Sequence, residues 1–105
     1  MEKATINNYW KKKHIFRRIG EEIISVGKTS EYGATNSLAN VCRVGDYVND
    51  DKVVAKMLGM GYSYCVVTES GHTYYSWNIS SIKTKENTYN VLDTDNEVFL
   101  IPIEV

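Results

Sequence analysis
Proline and cysteine are scarce in this chain: one Pro and two Cys among 105 residues. Cys42 and Cys65 belong to no CxxC and have no His at ligand spacing, so a zinc module and a disulfide scaffold both drop out. They read as small hydrophobes among Val41, Val44, Val66 and Val67, free thiols of a reducing cytoplasm. Long apolar runs are missing as well. Nothing approaches the roughly 20 residues of a membrane-spanning helix, and no secretory h-region follows Met1, so a cytoplasmic protein is expected. Nor is charge of one sign in excess, since 12 Lys and Arg stand against 13 Asp and Glu for a net −1. A bulk polyanion binder is normally far more basic.

What is present is an ordinary globular composition, 43% apolar and 24% charged, on a chain short enough for one domain over residues 1–105. The net charge conceals an asymmetry. Residues 1–18 carry Lys3, Lys11, Lys12, Lys13, Arg17 and Arg18 against a single acid, Glu2, so a basic N-terminal element precedes an acidic body. Phe, Tyr, Met, Ile, Asn and Lys outnumber Gly, Ala, Arg and Pro by more than two to one. That codon bias suits a low-G+C bacterium or one of its phages.

Residues 6–18 read either as a helix with Ile6, Tyr9, Trp10 and Lys13 on one face or as a strand, and the reading taken is a short helix to about Lys12. HIFRRIG and EEIISVGK then form a hairpin turning at Gly20-Glu21. Residues 27–37 read as a loop, and Leu38, Val41 and Cys42 recur at helical spacing for one or two turns. Asn49-Asp50-Asp51 reads as the start of a ten-residue helix with Val53, Val54, Met57 and Leu58 inward, stopped by Gly59 and Gly61. From Tyr62 the period changes to two. SYCVVT with HTYYSWNI, and TYNVLD with EVFLIPIE, give a four-stranded antiparallel meander over residues 62–105, with Pro102 on an edge strand. The fold class expected is α+β: a small twisted antiparallel sheet with one or two short helices, for which an SH3-like barrel is one closure. The run TESGHTYYSWNISSI…TYNVLDTDNEVFLIPI is similar in pattern to small β-meander proteins of phages and mobile elements.

Two groups of residues suggest a binding surface. Tyr9, Trp10, Lys11, Lys12, Lys13, Phe16, Arg17 and Arg18 interleave cations with rings, as a surface tracking phosphates and stacking bases requires. The competing reading makes Trp10 and Phe16 core anchors and the lysines a solvated face. The second group is Tyr62, Tyr64, Tyr74, Tyr75 and Trp77, where Tyr and Trp give large contact area at low entropic cost. Ordinary cross-strand packing is the alternative there.

The remaining constellations are explained without chemistry. Asp93-Thr94-Asp95-Asn96-Glu97 resembles the start of a calcium loop but lacks its glycine and closing glutamate, and a hairpin turn accounts for it. Asp46, Asn49, Asp50 and Asp51 read as helix capping. A Cys–His nucleophile would need Cys42 or Cys65 beside His14 or His72, and a regular hairpin sets Cys65 opposite Tyr75 instead. Gly59-Met60-Gly61 lacks the context of a phosphate loop.

No metal, cofactor or catalytic set is expected. The reading is a non-enzymatic binding protein that occludes a protein or nucleoprotein target, akin in size and composition to anti-defence and anti-CRISPR inhibitors. Nucleic-acid binding through the N-terminal element is the alternative, with Lys11, Lys12, Lys13, Arg17 and Arg18 pointing one way. A small-ligand binder or Cys–His enzyme comes last. An exposed edge strand leaves a homodimer open, and no membrane partner is expected.

Overall fold
A computed structural model describes residues 13–29, 38–93 and 98–103. Strands β1 (Lys13–Ile19) and β2 (Glu22–Thr29) pair as the expected antiparallel hairpin, with Ile19 opposite Glu22. Gly20, at φ 63, supplies the left-handed turn position that a two-residue connection needs. β2 continues through Gly27 to Thr29, past the point where its composition suggested a loop. Residues 38–41 are helical, as their spacing predicted, and bury Leu38, Ala39 and Val41 with Cys42 just beyond.

Residues 49–58 are not a helix. β3 (Tyr47–Val48) turns through Asn49 and Asp50 into β4 (Asp51–Leu58), with Val48 opposite Asp51. Asn49 and Asp50 have φ of 53 and 64, the paired left-handed values of a type I′ hairpin turn, which Asn and Asp tolerate better than other side chains. Each explains part of the error. Asn49 is held by its own amide: Oδ1 accepts from the Ser80 N–H at 2.7 Å and the Ser81 N–H at 3.2 Å, and Nδ2 donates to the Asn78 carbonyl at 3.0 Å. The doublets Val53-Val54 and Met57-Leu58 imitate a helical stripe. In the strand, a register shift between Val53 and Ala55 buries Val53 and exposes Val54.

This turn makes a prediction that separates the two assignments. Asp50→Gly should raise the unfolding free energy by up to about 1 kcal/mol, because glycine adopts positive φ without strain. At the first turn of a helix the same change would lower it, so a reduced melting temperature would refute the turn assignment.

Beyond β4 come β5 (Tyr64–Thr68), β6 (Thr73–Tyr75), β7 (Ser81–Lys83), β8 (Thr88–Asp93) and β9 (Val98–Ile103). Among the described residues they join β3 and β4 in one antiparallel sheet of order β6-β5-β4-β3-β7-β8-β9. The two C-terminal hairpins therefore exist but do not form a single four-stranded meander, because β3 and β4 lie between them and β7 adds a strand. The expected strand HTYYSWNI ends at Tyr75, and Ser76–Asn78 turn into a 3-10 helix. No closed barrel forms among the described residues; the sheet is open at β6 and β9, with Pro102 on the latter. The turn residues 94–97 lie outside the described residues, between Asp93 and its partner Val98.

The core joins hairpin, helical turn and sheet. Phe16 and Ile23 pack with Leu38, Cys42, Val48, Val53, Val66, Ile82 and Tyr89. Polar contacts orient the hairpin on the sheet. The Ile23 N–H donates to the Tyr89 hydroxyl at 3.0 Å, and Thr84 Oγ1 and Asn87 Nδ2 each donate to the Glu21 carbonyl at 3.0 Å.

Candidate binding surface
The described residues of the N-terminal group do not share one exposed face. Tyr9, Trp10, Lys11 and Lys12 lie outside the described residues, and Lys13 contributes its backbone to β1. Alternation along β1 separates the remainder: Arg17 is exposed, whereas Phe16 is buried in the core and Arg18 follows it inward. This corrects the expectation that Arg17 and Arg18 point one way and that Phe16 and Arg18 meet a partner.

Arg18 is held in a buried ion-pair network. Its guanidinium donates to both oxygens of Asp46, to Glu21 Oε1 at 2.7 Å, to the Val41 carbonyl at 3.2 Å and to the Gly20 carbonyl at 3.0 Å. The Arg18 and Asp46 side chains are 5% and 6% exposed. Burial works against the guanidinium charge, but Asp46 and Glu21 outweigh it and hold the Arg18 pKa above its ordinary value. The Lys85 N–H, then Arg18, hold the Glu21 carboxyl below its own. Asp46 also accepts from the Arg43 N–H at 2.8 Å. Asp46, Asp50 and Asp51 are therefore not a helix-capping cluster: one pairs Arg18, one turns β3 into β4, and one clamps the β5–β6 turn.

That clamp brings Asp51, Ser70 and His72 together. The Ser70 hydroxyl donates to Asp51 Oδ2, and the Thr68 hydroxyl donates to the same oxygen at 2.8 Å. His72 Nδ1 lies 2.8 Å from Ser70 Oγ. Since the serine proton is committed to the carboxylate, Nδ1 must be the donor to Oγ. A serine nucleophile needs the imidazole between hydroxyl and carboxylate, whereas here the hydroxyl stands between the other two. Ser70 chiefly, then Thr68 and His72, hold the Asp51 carboxyl below its ordinary pKa. The thiol of Cys42 donates to the Leu38 carbonyl at 3.3 Å, and burial pushes its pKa up to about 12, far from a thiolate nucleophile.

The tyrosine group fares differently. Residues opposed across a sheet share a face, so Lys56, Val66 and Tyr74 form one row across β4–β5–β6, and Met57, Cys65 and Tyr75 form a row on the other face. Val66 and the half-buried Tyr74 pack on the core, which removes Tyr74 from the candidate surface. On the far face Cys65 is buried opposite Tyr75, as the hairpin register predicted. Tyr75 stacks on Trp77 with centroids 4.8 Å apart and planes 10° from parallel. Its hydroxyl accepts from the Met60 N–H at 2.9 Å.

Where β4 and β5 meet, the connection is built from apolar side chains. Met57, Leu58, Met60, Tyr62 and Tyr64 are all exposed there, Tyr62 by 88% and Met60 by 71%, and Trp77 is exposed on the adjoining turn. The connection is tied internally: Gly59 N–H donates to the Ser63 carbonyl at 2.8 Å, and Ser63 N–H to the Met60 carbonyl at 3.2 Å. Tyr62 sits in it at φ 61. Comparison with protein-family models, curated proteins and solved structures finds no match for this chain.

Sequence reasoning named Tyr62, Tyr64, Tyr75 and Trp77 as candidates but not the exposed Met57, Leu58 and Met60. The first two were absorbed into the supposed helix. The signal lay in Met57-Leu58-Gly59-Met60-Gly61-Tyr62, whose glycines mark a turn while its other residues are too apolar for a solvated one.

Proposed function
We propose that this chain is a non-enzymatic binding protein that covers part of a macromolecular target with the apolar end of the β4–β5 hairpin, in the manner of small phage or mobile-element inhibitors. The observation that carries the reading is Tyr62. A bulky residue at positive φ costs about 1–2 kcal/mol, and burial does not compensate it when the ring is 88% exposed. Strain at an exposed aromatic suits a contact residue whose ring meets its environment only in a complex. Met57, Leu58 and Met60 around it supply adaptable apolar area, and a target offering an apolar pocket fits them.

The test places a photo-crosslinking side chain at position 62, with a control at the exposed Glu86, in lysate of the gene's own source. Position 62 is expected to yield a discrete adduct with another protein, suppressed by excess unlabelled chain. Tyr62→Gly should compete at least about tenfold less well while raising stability by up to about 1 kcal/mol. Equal labelling from both positions, or adducts with a second copy of this chain alone, would overturn the reading.

A further inference from the structure
A concavity adjoins the apolar end at Tyr64, between β1, β4 and residues 40–43. It measures about 430 Å³ and gathers Arg17, Arg18, Arg43 and Lys56, with Asn40 beside them and, among the described residues, no carboxylate in its lining. Arg18 is neutralised from behind by Asp46 and Glu21. Arg17, Arg43 and Lys56 line the cleft and are all exposed, and Arg43 also acts on Glu21 in the neighbouring hollow behind Arg18. Lys56 Nζ donates to the Asn40 carbonyl at 2.6 Å, which fixes the ammonium at the cleft's edge. It also stands 5.5 Å from the centroid of the Tyr64 ring, which is exposed.

A protein of net charge −1 that converges three cations on one cleft creates a local positive potential its composition conceals. The arrangement has the two parts that a phosphate-linked chain of bases requires, cations for the backbone and an aromatic face for an unpaired base. We infer that the cleft binds single-stranded nucleic acid, with Arg17, Arg43 and Lys56 at phosphates and Tyr64 stacking a base at its edge. A duplex presents no free base face to Tyr64, so the unpaired strand is the substrate form. The inference does not depend on the protein-docking reading, whose test uses Tyr62.

The experiment titrates the full chain into fluorescein-labelled single-stranded oligothymidylate and follows anisotropy across a salt series. Three phosphate contacts predict a slope of log K against log salt of roughly −2, and Arg43→Ala or Arg17→Ala should each reduce it by about 0.7. Tyr64→Ala should weaken binding roughly tenfold and leave the slope unchanged. Arg17 and Arg43 are exposed, so these variants fold, and unchanged circular dichroism would verify it. Absence of binding at low salt overturns the inference. So does equal affinity for duplex, or binding that survives Arg17→Glu with Arg43→Glu yet disappears when Lys11, Lys12 and Lys13 become Ala. Polyphosphate binding as tightly as the oligonucleotide, with no effect of Tyr64→Ala, would also overturn it, leaving a site that reads charge alone.

Discussion

Arg18→Met should lower the unfolding free energy by about 3–5 kcal/mol, measured as a shift in the urea midpoint at constant slope. The substitution keeps much of the side chain's apolar volume and removes its charge. Asp46, with a side chain only 6% exposed, would then hold a carboxylate without its countercharge, and the Val41 and Gly20 carbonyls would lose a donor. A domain of this size has about 5–15 kcal/mol in total, so a substantial share of its stability rests on this contact. Adding Asp46→Asn should restore part of the loss, because the amide needs no countercharge and its oxygen still accepts from the Arg43 N–H. A loss below about 1 kcal/mol, the range of exposed ion pairs, would show that Arg18 and Asp46 are solvated in the native state.

Gly59→Ala is expected to be the most damaging change at the candidate surface. Its φ of −116 is not left-handed, and although ψ −142 takes it outside the helical and extended regions, a second constraint acts on any side chain there. That constraint is contact: a Cβ at position 59 would meet the Tyr75 ring, 2.9 Å from Cζ and closer still to the hydroxyl. Either the ring moves, losing its hydrogen bond from Met60 and its stack on Trp77, or the β4–β5 connection does. Overpacking of this kind costs about 1–3 kcal/mol. Trp77 emission should shift, best read with Trp10→Phe so that a single indole reports. Combining Gly59→Ala with Tyr75→Phe should recover part of the loss, since the hydroxyl is the nearest obstacle. Gly27→Ala, where an added Cβ meets nothing within 4 Å, is the control. Additive effects of the Gly59 and Tyr75 changes would mean that they do not touch.

Where local chemistry alone specifies the backbone, residue types were enough. Gly20-Glu21 turned a hairpin, Leu38 to Cys42 formed a buried helical turn, and the alternation in Tyr64–Thr68 and Thr88–Asp93 marked strands. The antiparallel sheet follows from the same local signals, whereas the exposure of Tyr62 and Tyr64 was decided by packing. Residues 49–58 misled because two apolar doublets fit a helix and a bulged strand equally well. The choice between them lay in positive φ at Asn49 and Asp50, secured by bonds to Asn78, Ser80 and Ser81 from about thirty residues away. Arg18 misled in the same way. Within the sequence it completes a basic run, and Asp46, 28 residues on, removes it from that run by burying its charge. Strand order and charge pairing over such distances are set by which surfaces the packed chain brings together. Periodicity and composition describe each segment's own preference and hold no record of its distant partner.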